Sequence, residues 1–221
     1  MIYKLTVALL LVLVGALCHA AETNTIPLEL TDSLSGEPVA DAVVILEDGP
    51  SEPPVEAEIV QKNRNFYPHT LIIPKHSRVD FPNQDNTQHH VYSFSPAKAF
   101  NIELYAGRPT EPVVFNKTGV VEIGCNIHDQ MQAFILITDS APSGRTDEQG
   151  RLTVEIPPSV DDDSGKIELL VWHPRLTDNT RMARFTIEQP SSGSLELSVE
   201  LSPEPASDDR LDGLQERFRE L

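Results

Sequence analysis

The chain has 221 residues, 18 of them proline, and a formal net charge of −17. Such an excess of acid argues against nucleic acid and anionic membrane surfaces as partners, because both repel it. The many prolines and the lack of helical periodicity through most of the chain point to an all-β protein, built as one large sandwich or two small ones.

Residues 1–20 read as an export signal. Lys4 provides the positive start, 5–17 the apolar stretch, and Cys18-His19-Ala20 the end, with a cut expected before Ala21. The apolar stretch is too short to span a bilayer. A periplasmic protein with no stable membrane insertion is expected. Cys18 leaves with the signal, and Cys125 is then the sole cysteine. A thiol with no disulfide partner in an oxidising compartment is usually protected by burial or by a metal.

In chain order, 28–30 reads as a short strand, 32–38 as a turn and 42–46 as a β-branched strand. An acidic, proline-containing connection covers 47–54. A second unit follows, with strands at 58–61, 70–73, 78–81, 91–94, 100–105, 113–115, 120–124 and 133–137. The turns between them are short and regular, as a Greek-key sandwich requires. The loop 82–87 delivers two adjacent histidines, His89 and His90. Further on, Thr146-Asp147-Glu148-Gln149-Gly150 is a turn before a strand at 151–156. A polar loop at 161–165 precedes strands at 167–172, 184–187 and 195–201. The tail 204–221 places Leu211, Leu214, Phe218 and Leu221 at helical spacing.

The segment Gly124-Cys125-Asn126-Ile127-His128-Asp129-Gln130-Met131 carries a thiolate, an imidazole and a thioether at C-x2-H-x2-M spacing. With one more imidazole from His89 or His90, this is the donor set of a blue-copper electron-transfer site. Soft sulfur suits Cu(I), and imidazole suits both oxidation states. Cys125 would bind as the thiolate, since a coordinating thiol loses its proton to the metal. His128 would turn one ring edge to solvent, and Met131 would be the weak axial donor. Neighbours on a strand face opposite ways, so only one of His89 and His90 can serve, and a period of two does not choose. A lone cysteine is ordinarily a buried core residue; His128 and Met131 beside it favour the metal. His69, His76 and His173 lack ligand spacing. No nucleophile–base pair stands out as a hydrolase would need, and an oxidase would need a second, His-rich copper cluster.

These residues carry a resemblance. The Asn83-to-His89 interval, the Gly119-to-Cys125 interval and the tight ligand loop make the second unit similar to a cupredoxin, most of all to the amicyanins. The resemblance implies a Greek-key sandwich over 55–138. It assigns one type 1 copper ion to His89, Cys125, His128 and Met131. It implies a one-electron carrier, not an enzyme, that exchanges electrons with a redox protein such as a c-type cytochrome or a dehydrogenase. A copper-binding or copper-delivery protein with little redox turnover is the alternative. Two positions depart from the pattern: His90 stands where an Asn braces the ligand loop, and His76 where a turn glycine is usual. Phe81-Pro82-Asn83, the stretch 90–95, Gly124 to Asp129 and Trp172-His173-Pro174-Arg175 also resemble exported bacterial proteins labelled methylamine utilization protein.

Residues 30–46 resemble the opening of a carboxypeptidase-regulatory-like, Ig-like β-sandwich. Such domains continue with a Thr-Asp-x-x-Gly turn, which here comes only at 146–150. This implies a second, smaller sandwich made of 22–50 and 139–203, with 55–138 inserted into it and 204–221 as a helical tail. The alternative is that the first strands extend the sheet of 55–138.

Overall fold

A computed structural model describes residues 24–157, 166–188 and 193–204. The export signal at 1–20, the loop at 161–165 and the helical spacing at 207–221 lie outside them. The described chain is all-β. Its strands are β1 (Asn24–Asp32), β2 (Val43–Leu46), β3 (Glu56–Glu58), β4 (Val60–Lys62), β5 (Asn65–Tyr67) and β6 (Thr70–Pro74). There follow β7 (Ser77–Asp80), β8 (His89–Ser95), β9 (Lys98–Tyr105), β10 (Val113–Phe115), β11 (Gly119–Cys125) and β12 (Gln132–Thr138). The last are β13 (Pro142–Arg145), β14 (Arg151–Ile156), β15 (Lys166–Trp172), β16 (Ala183–Glu188) and β17 (Leu195–Val199). Among the described residues no helix is long and apolar enough to cross a membrane.

The strands form four sheets and a hairpin. The orders are β14-β1-β17, β13-β2-β15-β16, β6-β12-β11-β8-β9 and β10-β7-β3, with β4-β5 as the hairpin. Alternation in β1 turns Ile26, Leu28 and Leu30 into a core shared with Val154, Val199, Val44 and Leu169. A second core gathers Ile73, Val79, Phe81, Phe115, Val121, Ile123 and Ile135 between the five-stranded sheet and β10-β7-β3.

Two strands do not alternate. All four residues of β2 are buried, as are Ala133 to Thr138 of β12. Both are continuous apolar runs, the pattern of a strand covered on both faces. In β12, Ala133, Ile135 and Ile137 enter the second core, while Phe134 and Leu136 enter the first. The Phe134 ring lies 5.0 Å from that of Trp172 on β15. The four sheets therefore stack, with the β2 sheet and the β12 sheet back to back in the middle.

The N-terminal strands pair with C-terminal ones. β1 lies between β14 and β17, and β2 between β13 and β15. Neither forms a ladder with any strand between residues 55 and 138 among the described residues. The turn at 146–150 locks this arrangement. Thr146 Oγ1 accepts from the Ala42 amide at 2.9 Å and donates to the Val39 carbonyl at 2.7 Å. Leu30 N donates to the Gly150 carbonyl at 2.8 Å. Gly150 has φ +72°, and a Cβ there would lie 2.4 Å from the Leu30 carbonyl oxygen, so glycine is required on both counts.

The stretch 58–61 is not one strand. It splits at Ile59, between β3 on the β7 sheet and β4 of the hairpin. Ile59 is fully buried and donates its amide to Asp80, so the chain changes sheets around an apolar anchor. Strand β13, with its proline and glycine, has no strong strand signal and forms an edge with a register shift.

Phe134 and Trp172 tie the middle sheets together, so a double-alanine cycle read by urea unfolding should give a coupling of about 0.5–1.5 kcal/mol. Additive single losses would mean the ring contact is incidental.

Burial pushes His69 below its ordinary value of 6.5 against an opposing pull from Asp41. Burial, with Arg175, does the same to His173, again opposed by Asp41. Both are therefore neutral in the folded protein where the unfolded chain already takes up protons. Their contribution is complete above about pH 6.5 and is lost as pH falls through the lower folded values. Replacing both with Gln should flatten the stability profile below pH 6.5, measured by urea unfolding at stepped pH.

Candidate metal centre

Three elements meet at one end of the sandwich formed by β6-β12-β11-β8-β9 and β10-β7-β3. Cys125 closes β11 opposite Val91 of β8. Two positions before Val91, on the same inward face, His89 opens β8. The loop from Cys125 to Met131 joins β11 to β12, which pair directly again at Gly124 and Gln132. The loop is pinned at its base: Cys125 N donates to the Met131 carbonyl at 3.2 Å, and Met131 N to the His128 carbonyl at 3.0 Å.

This folding brings together His89, Cys125 and His128, each offering one donor atom within 4.8 Å of the others. Cys125 Sγ lies 3.8 Å from His89 Nδ1 and 3.9 Å from His128 Nδ1. The two rings meet edge to face at 5.0 Å. Bonds of roughly 2.0–2.1 Å to nitrogen and about 2.3 Å to sulfur, opened to near 120°, span such separations. The donor set and its spacing thus fit a soft, three-cornered metal site. Met131 is buried in the same core as Cys125, and its backbone closes the ligand loop.

Exposure is uneven. His89 is fully buried and Cys125 nearly so, whereas His128 is half-buried. Ile127 beside it is 46% exposed, so the His128 side is the open one.

His90 points away from this group. Its Nε2 faces Asn101 Oδ1, and its ring packs 5.8 Å from Tyr92. A register shift between His89 and Val91 accommodates the change. His76 takes φ +72°, the left-handed conformation a turn glycine would supply, and its Nδ1 lies 3.1 Å from Asn116 Oδ1. His69 and His173 lie outside the group, the former edge-on to Phe134 and the latter accepting from the Arg175 amide.

One residue of the site had no obvious signal in the sequence. Asp85 Oδ2 lies 2.8 Å from His89 Nε2. Its carboxylate also accepts from Asn63 N at 2.6 Å and Arg64 N at 2.9 Å. Burial pushes the Asp85 carboxyl up, but the Arg64 amide, the His89 ring and the Asn63 amide more than offset this and hold it below its ordinary value. Asn63 and Arg64 are consecutive left-handed residues of the β4–β5 turn, which aims both amides outward at one acceptor. Asn83 anchors the loop beneath: its Nδ2 donates to the Thr87 and Tyr105 carbonyls, and its Oδ1 accepts from Asp85 N. Tyr105, opposite His89, is pushed up to about 12 by burial, partly relieved by Gln61.

No family model and no curated protein matches the chain. Several solved structures overlap part of it. A copper-containing nitrite reductase from Thermus scotoductus SA-01 is 21% identical over 41% of this chain, with a TM-score of 0.37. The overlap spans only 24% of the reductase chain. A purple cupredoxin from Nitrosopumilus maritimus is 21% identical over 37% of this chain and 99% of its own, with a TM-score of 0.33. Amicyanin from Paracoccus versutus is 16% identical over 45% of this chain and 99% of its own, with a TM-score of 0.32. At these scores the likenesses carry no argument, and the site rests on its own geometry.

Proposed function

We propose that residues 55–138 form a cupredoxin-type domain that holds one copper ion at His89, Cys125, His128 and Met131, and that the protein carries single electrons. The observation behind this is the convergence of two imidazole Nδ1 atoms on Cys125 Sγ, at 3.8 and 3.9 Å. Bound copper would supply a one-electron couple.

The protein's part is to hold the donors still. Cys125 is fixed by β11 and by the Met131 carbonyl. His89 is fixed by burial and by Asp85. A donor set that does not rearrange lowers the cost of switching oxidation state. It also disfavours copper delivery, which needs ligand exchange at donors that are here buried. His128, half-exposed, is the route for electrons to and from a partner. That partner is a redox protein, such as a c-type cytochrome or a dehydrogenase, met in the periplasm. The net charge of −17 favours one with a basic docking face.

Loading with Cu(II) should give an intense thiolate-to-copper visible band and narrow EPR hyperfine splitting. Cys125→Ser and His89→Ala should abolish or convert the band, while His90→Asn should keep it. Met131→Leu should keep the colour and raise the reduction potential. A wild-type protein that binds copper without the band would refute the blue-site reading.

A further inference from the structure

We propose that Asp85 is a positioning residue for this centre, fixing the His89 ring with its proton on Nε2 and placing a negative charge behind it that favours the more oxidised metal. The redox half rests on the copper reading above; the positioning half does not.

An ionised carboxylate only accepts hydrogen bonds, and a neutral imidazole has one N–H to give. The 2.8 Å contact with Asp85 Oδ2 assigns that proton to His89 Nε2. The lone pair is then left on Nδ1, the atom 3.8 Å from Cys125 Sγ. The ring is thus set for ligation before any metal arrives.

Asp85 is itself held from three directions. Two amides of the β4–β5 turn donate to its carboxylate, and its own amide donates to Asn83 Oδ1. Asn83 in turn donates to the carbonyl of Tyr105, the residue across from His89. The path from His89 through Asp85, Asn83 and Tyr105 back to His89 is closed, so ring and carboxylate cannot shift independently. The Asp85 side chain is only 13% exposed, so its charge is poorly screened. A carboxylate behind a ligating histidine raises the basicity of the ring. That stabilises Cu(II) over Cu(I) and lowers the potential, which a neutral acceptor at the same place would not do.

The full-length protein and its Asp85→Asn and Asp85→Ala variants test this. Copper-loaded Asp85→Asn should keep the visible band and favour Cu(I) by about tenfold more than wild type, a rise in potential of about 59 mV. In the metal-free protein, ¹⁵N NMR should show His89 protonated at Nε2 in wild type and a mixture of tautomers in Asp85→Ala. Should Asp85→Ala not fold, Asp85→Ser reads the same tautomer. An Asp85→Asn potential equal to or below that of wild type overturns the charge role. A wild-type tautomer without the carboxylate overturns the positioning role. If wild type lacks the blue band, the copper reading fails, and with it the redox half, while the NMR on metal-free protein still decides whether Asp85 sets His89.

Discussion

A strand with no polar side has no face to give to water. From Ala133 to Thr138, β12 is buried throughout, and its two faces belong to two different cores. The rest of the architecture meets that demand. One face is covered by β10-β7-β3, which completes the sandwich around the second core. The other is covered by β13-β2-β15-β16, through Phe134 and Trp172. Strand β2 is in the same position in the adjoining middle sheet, and β14-β1-β17 covers its other face. The hydrophobic stabilisation of each sandwich is therefore shared with the other across the middle.

The candidate metal centre sits where β11 turns into β12. The loop from Cys125 to Met131 is short and closed by two backbone bonds at its base, so the loop donors inherit the order of a hairpin whose β12 strand is buried on both faces. His89 comes from β8, next to β11 in the same sheet. All three converging donors thus ride on one sheet, and little can move between them. The open side of the loop carries half-buried His128 among exposed Asn126, Ile127, Asp129 and Gln130, which would suit the proposed electron role.

Polar groups near the centre form a second constraint. Asn83 and Asp85 are drawn inward from a loop that would ordinarily be solvated. Each is satisfied: Asn83 by two carbonyls and an amide, Asp85 by two turn amides and a ring nitrogen. Buried polar groups left without partners would cost more than they contribute. The left-handed Asn63-Arg64 turn supplies the donors that the loop itself lacks.

Much of this was legible in the chain alone. Alternating apolar residues mark β1, β9 and β17, and the C-x2-H-x2-M spacing marks the ligand loop, because both signals are local. Other features depend on what lies across a sheet or beyond a face. The apolar run 133–137 is plainly a strand, but only the stacked sheets reveal that Phe134 and Ala133 serve different cores. Period-two alternation separates His89 from His90 without saying which faces Cys125; the pairing of β8 with β11 decides that. Asp85 is one polar loop residue among several until the β4–β5 turn, distant in sequence, supplies its amides. The residue types determined the strands, the soft donor set and the tight loop. Tertiary structure decided which donors meet, which carboxylate backs them and which faces are hidden, because those depend on contacts between segments that sequence periodicity does not relate.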